Sequence, residues 1–144
     1  MTITNPFDIN NEGVGKVELT MAVDTTSAKD FTQTDLDAGY NACVVSDDNE
    51  AGMGSSGDKL FGKVTGVSDD LDANDIPKTC TVQVGGVAKF TLGTGTAPTV
   101  GQMVEVDGAG RVNVAAADAD IAAGGHLARG QVIAVDATNA WVWL

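Results

Sequence analysis

The stretch VEVDGAGRVNV, residues 104–114, decides how this chain is to be read. Side chains alternate across a strand, so Val104, Val106, Val112 and Val114 share a face if that face is buried. Cross-strand partners lie on one face, so 106 stands opposite 112 and 104 opposite 114. Asp107 then faces Arg111, and Gly108-Ala109-Gly110 is the loop. That loop class wants a left-handed residue at its last position, which Gly110 supplies. On the outer face Asp107 and Arg111 form an exposed pair, worth on the order of tenths of a kcal/mol. The unit is an antiparallel hairpin.

Working outward, VGKVELTMAV (14–23) alternates as a strand, with Val17, Leu19 and Met21 on one face. NACVVS (41–46) and KLFGKVTGVS (59–68) read as further strands. TCTVQVGGVAKFTL (79–92) reads as a second hairpin, with Cys80, Val82 and Val84 against Ala88, Phe90 and Leu92. Gly85-Gly86 fits a two-residue turn, whereas the apolar pattern wants a longer loop or a bulge, and the turn stays open. RGQVIAVDA (129–137) and AWVWL (140–144) close the chain. Between them lie a short helix within 24–40, a loop at 47–58, an acidic turn at 69–77, and a short helix or tight crossover at 115–125. Some eight or nine short strands, mostly antiparallel, predict an all-β fold, a small β-sandwich or barrel. The domain spans 14–144, with 24–58 either a loop-rich insert or part of it. Residues 1–13 read as an extended N-terminal arm.

One phrase occurs twice, as FGKVTGVSD (61–69) and RGQVIAVDA (129–137). Each sets two Val three residues apart, which strict alternation would send to opposite faces. Such a strand is buried on both sides or kinked by a bulge near the Gly. The copies are either equivalent strands of a pseudo-symmetric barrel or a coincidence in a Val- and Gly-rich chain.

Composition narrows the function. The 144 residues carry a formal net charge of −12. Residues 1–75 hold 15 of the 20 acids and 4 of the 8 bases, a net −11, leaving −1 for residues 76–144. A phosphate backbone would be repelled, so no nucleic-acid partner is expected. No apolar run approaches the length of a membrane span, and MTITNPFDIN has no signal-peptide pattern, so no membrane partner is expected and the chain reads as soluble and cytosolic. Cys43 and Cys80 fit no metal motif and sit in apolar stretches, so both read as buried thiols. A disulfide between them is not implied.

No catalytic constellation assembles. His126, the one histidine, sits in AGGHLARG without a Ser nearby or a nucleophile-elbow pattern, and reads as a turn residue. In DDLDAND (69–75), Asp70, Asp72 and Asn74 alternate like the start of a calcium loop. The Gly and Glu that an EF-hand needs are replaced by Asp75 and Thr81, which leaves at most an irregular cation site against a solvated acidic turn. GTGTAP (93–98) is not followed by the Lys-Ser/Thr of a phosphate loop. Trp141 and Trp143 share one strand face, as a sugar platform, a barrel lid or a subunit contact would. No enzyme and no cofactor are expected; the profile is that of a structural or binding protein.

The segment APTVGQMVEVDGAGRVNVAAADADIAAGGHLARGQVIAVDA (97–137) resembles the phage capsid cement, or head decoration, proteins. The resemblance implies a small β-rich protein, usually trimeric, on the outside of an icosahedral shell, clamping major capsid subunits after assembly in the host cytoplasm. By that analogy Ile3, Phe7 and Ile9 would be shell or neighbour contacts, and Trp141, Trp143 and Leu144 subunit contacts. The alternative is a carbohydrate- or receptor-binding β-sandwich module of a fibre or adhesin, with the two Trp as its platform.

Overall fold

The hairpin at 104–114 adopts the expected register, with Val104 opposite Val114 and Val106 opposite Val112. Asp107 donates its amide to the Arg111 carbonyl (2.9 Å), and Gly110 is left-handed at φ +78°. The ion pair is corrected in one respect. Asp107 is not on an exposed face: its side chain is 4% accessible and tied to Arg111 Nε at 2.7 Å. It also accepts from the amides of Ala109 and Arg111, so it organises the turn from within.

The computed structural model describes residues 11–116 and 129–144. Among these the chain runs β1 (Val17–Val23), α1 (Gln33–Asp37), β2 (Ala42–Asp47), β3 (Glu50–Gly52), β4 (Gly62–Val67), β5 (Thr79–Gly85), β6 (Val87–Thr91), β7 (Met103–Val106), β8 (Val112–Val114), β9 (Arg129–Val135) and β10 (Asn139–Trp143). The fold is nearly all β, as expected. Strands β1-β3-β2-β4-β5 form a small closed barrel, and β6-β10-β9-β7-β8 a second five-stranded sheet.

The two sheets repeat one topology. β1, β2, β3, β4 and β5 correspond in turn to β6, β7, β8, β9 and β10, strand for strand and partner for partner. Met21 faces Cys80 in the first half as Phe90 faces Ala140 in the second. Val64 faces Val82 as Val132 faces Val142. The barrel is closed by a parallel pairing of Val23 with Ala51, and its counterpart is the parallel bridge from Leu92 to Val112 across the ends of the second sheet.

The repeated phrase explains itself here. In β4 the register against β5 steps from Val64 to Gly66, leaving Thr65 as an extra residue. In β9 the register against β10 steps from Val132 to Ala134, leaving Ile133 extra. The extra residue restores one face to both valines. Val64 and Val67 pack into one core, Val132 and Val135 into the other.

The first core gathers Met21, Val23, Phe31, Cys43, Ala51, Met53, Val64, Cys80 and Val82. The second gathers Phe90, Val104, Val106, Val112, Val132, Ala140 and Val142, together with Ala42, Val44 and Leu60 from the first half. β2 is thus buried on both faces, Cys43 into one core and its neighbours into the other. This shared packing joins the halves.

Two expectations are overturned. Residues 79–92 are not a hairpin: β5 pairs with β1 and β4, while β6 pairs with β10. Both edges of β5 are already taken, so the chain crosses at Gly86 from the barrel to the second sheet. Gly86 is left-handed (φ +79°), and a Cβ there would sit 2.2 Å from the Val14 carbonyl oxygen. The buried Gln83 amide donates to Gly85 O (3.0 Å) and Val87 O (3.1 Å), satisfying carbonyls at the crossing. Residues 24–58 are no insert either, since β2 and β3 are two of the five barrel strands, and β3 lies inside the expected loop 47–58. The short helix expected within 24–40 is α1, closed by a Thr32–Asp35 capping box. The arm residues 1–10 and most of 115–125 lie outside the described residues.

The phrase glycine is a steric necessity in both copies. A Cβ on Gly62 would sit 2.3 Å from the Gln83 carbonyl oxygen, and one on Gly130 (φ +83°) would sit 2.6 Å from Val142 Cγ1. We expect Gly62→Ala and Gly130→Ala each to lower unfolding stability by about 1–3 kcal/mol in urea titrations. Gly66 has open space around its Cβ position, and Ala134 stands at the same place in the other copy. Gly66→Ala should therefore change stability by less than about 1 kcal/mol.

Candidate interaction surface

The outward face of the second sheet carries one row of exposed apolar side chains, while Leu19, Val45 and Leu71 are exposed on the first half. β10, β9 and β7 place Trp143, Gln131 and Met103 in one row by register. Trp143 is 51% and Met103 43% exposed. Ile133, pushed out by the bulge, is also exposed. Gly15 lies against this row, since a Cβ there would be 3.9 Å from Trp143 Cη2, and its neighbours Val14 and Val17 are exposed as well. The apolar surface therefore runs across the seam between the halves.

The sequence-derived contact residues divide. Trp141 and Trp143 share the outer face as expected, but Trp141 is half-buried, with Lys89 Nζ 5.5 Å above its ring. Leu144 leans on the second core, and its amide donates to Gly86 O (2.9 Å). Trp143 is the member of the three most open to a neighbour. Ile3, Phe7, Ile9 and His126 lie outside the described residues.

The acidic turn holds itself together. Asp72 Oδ1 accepts from the amides of Asn74 (2.8 Å) and Ile76 (3.0 Å), and Asp70 pairs with Lys78 Nζ at 3.1 Å. Asn74 is exposed. Among the described residues no group of three or more His, Cys, Asp or Glu is placed to hold a metal. No helix among them is long and apolar enough to cross a membrane.

A cleft of about 640 Å³ opens between the halves beside Lys29, Asp35, Tyr40 and Arg111. Three of its four charged groups are engaged in the fold: Lys29 on Gly54 O, Asp35 on Thr32, and Arg111 on Asp107 and over the Tyr40 ring at 5.5 Å, with Asp30 the fourth. Sequence reasoning missed Arg129. Its guanidinium crosses from β9 to the first half, donating to Phe61 O (2.8 Å) and to Val84 O, and lies 5.8 Å over the Phe61 ring. The signal was available, since Phe61 and Arg129 are the first residues of the two phrases.

Against family models, curated proteins and solved structures, the chain finds no match.

Both cysteines are free and buried in the first core. Burial pushes both thiols up, Cys80 to about 11 and Cys43 further. Thiolate is the reactive form, so neither thiol should attack at neutral pH. Titration with an aromatic disulfide reagent at pH 8 should find no reactive thiol in the folded chain and both in denaturant; rapid reaction without denaturant would contradict the burial.

Proposed function

We propose that this protein is a capsid decoration protein that binds the outside of an icosahedral phage head and stabilises contacts between major capsid subunits. The observation that carries the reading is the division of labour between two copies of one β unit. The first unit, up to Gly85, holds 15 of the 20 acids against 5 bases, a net −10, while the second, from Gly86, has a net −2 and carries the exposed Trp143–Met103 row.

That asymmetry suits a protein lying on a crowded shell. Acidic surface turned outward keeps particles apart in solution. Copies of a chain with net charge −12 repel one another, and they meet at least cost through the second unit, whose net charge is −2. In this reading Trp143, with Trp141 beside it, forms the contact between subunits of a trimer, and Ile3, Phe7 and Ile9 of the arm reach the shell or a neighbour. Cohesion of this kind asks for area and complementary shape, and for no reacting group.

The test is co-sedimentation with purified shells that lack this protein. Stoichiometric pelleting is expected, with weakened retention for Trp143→Ala and for a chain lacking residues 1–12, both retaining the parent's circular dichroism. A chain that stays in the supernatant at every shell concentration overturns the proposal.

A further inference from the structure

One main-chain edge of the barrel is left open. Cys43 O accepts from Phe61 N (2.8 Å) on the β4 side of β2. Ala51, opposite Val45 on β3, spends its carbonyl on Asp24 N (2.9 Å), on the β1 side. Main-chain groups alternate sides along a strand, so the N–H and C=O of Val45 point away from β3, to where β4 would continue. β4 does not continue. It pairs with β2 only at Ala42 and Cys43, and the chain before it turns inward, burying Leu60 in the second core. Among the described residues nothing bonds to Val45's main chain on that side.

The repeat shows what such an edge accepts. Val45 faces Ala51 as Val106 faces Val112, and both hairpins turn through a left-handed residue, Asn49 and Gly110. At Val106 the edge is filled: Val106 N donates to Asp58 O (3.1 Å), and Gly57 N donates to Val106 O (3.0 Å). A turn from the other unit, through Gly57 and Asp58, pairs there by main chain alone.

The surroundings of Val45 state the chemistry of an occupant. A cleft of about 680 Å³ lies along the edge, walled by Val44, Val45, Leu60 and Phe61, with Lys59 and Arg129 beside them. Val45 is 51% exposed. Asp58 also lines the cleft, its carboxylate held by the Ser55 amide (2.8 Å). Of the eight bases, Lys16, Lys63, Lys78 and Arg111 are in ion pairs among the described residues; Lys59 and Arg129, like Lys29 and Lys89, are not, and Arg129 spends two N–H groups on the Phe61 and Val84 carbonyls without a carboxylate beside it. At the far end of β2, Asp47 and Asp48 are exposed.

We propose that the open edge of β2 is a strand-addition site for an extended segment of a partner protein. The segment runs antiparallel to β2, with a basic residue at the Asp47–Asp48 end, apolar residues over Val45 and Phe61, and an acidic residue facing Lys59 and Arg129. Main-chain bonds supply the affinity and the two charges set direction and register. The inference stands independently of any role on a capsid.

The test uses the full ¹⁵N-labelled chain and two peptides of one composition, acetyl-TKVVET-amide and its charge-exchanged partner acetyl-TEVVKT-amide. In the free chain the Val45 amide should exchange quickly with solvent while the Val106 amide is protected. Adding the first peptide should shift the Val45 and Asp47 amides and slow exchange at Val45. The second peptide should bind about tenfold more weakly, because both attractions become repulsions. K59E, an exposed change that should leave the spectrum folded, should narrow or invert that preference. A Val45 amide already protected in the free chain would mean that the edge is filled by the chain itself, or by a second copy if protection falls on dilution, and would overturn the proposal. So would equal binding of the two peptides, no response at Val45 at saturating peptide, or a preference untouched by K59E.

Discussion

The architecture depends on one extra residue in each half. Thr65 in β4 and Ile133 in β9 have no partner on the next strand. Without them the two valines of each phrase would fall on opposite sides, one in the core and one in water. With them both valines reach the core, and the strand gains the local twist that curls five short strands toward closure. The glycine at the second position of each phrase serves the same geometry, since the bulged strand approaches its partner too closely there for a Cβ.

Given that frame, the halves differ where the frame permits. Interior positions exchange one apolar residue for another: Met21 for Phe90, Cys80 for Ala140, Ala51 for Val112. Packing density constrains these sites to apolar residues whose summed volume fits. Outer positions are freer and have diverged in kind. Thr81 corresponds to Trp141 and Gln83 to Trp143. Gln83 is buried because the crossing to β6 covers it, while among the described residues no further strand lies above Trp143, which stays half exposed. One unit has thereby become the more acidic one, and the other carries the exposed tryptophan.

What the residue pattern revealed follows the range of the interactions involved. The register of 104–114 was legible because it depends on four valines, a glycine and a tight loop, all local. The Val spacing narrowed each phrase to a strand buried on both sides or bulged, and the register against the next strand decides for the bulge. The supposed hairpin at 79–92 misled because apolar residues on one face of each strand imply burial and do not say in which core. Cys80 and Val82 belong to one core, Ala88 and Phe90 to the other. Strand β3 has three residues inside a polar stretch and exists because β1 and β2 flank it. The burial of Asp107 has a similar origin, since the 93–95 loop lies over it, with Gly93 close enough that a Cβ would touch its carboxylate. The open edge at Val45 was invisible for a deeper reason: an unpaired strand edge is decided by where distant chain goes, here by Leu60 leaving for the second core.

Other edges in this fold are managed in the ways that keep β proteins from pairing at random. The first sheet closes on itself. In the second, β7 is met by Gly57 and Asp58, β8 by the loop through Gly95 and Thr96, and β6 by Val14 and the Leu92–Val112 bridge. A chain that covers the edge at Val106 and leaves the equivalent edge at Val45 open has treated two identical liabilities differently. The second treatment costs main-chain hydrogen bonds and leaves a half-exposed valine beside two cations, Lys59 and Arg129, that have no carboxylate partner among the described residues. Neither packing nor closure of the barrel asks for that arrangement, since the same topology in the other half does without it. Its physical logic is completed only by an extended chain that the protein meets from outside.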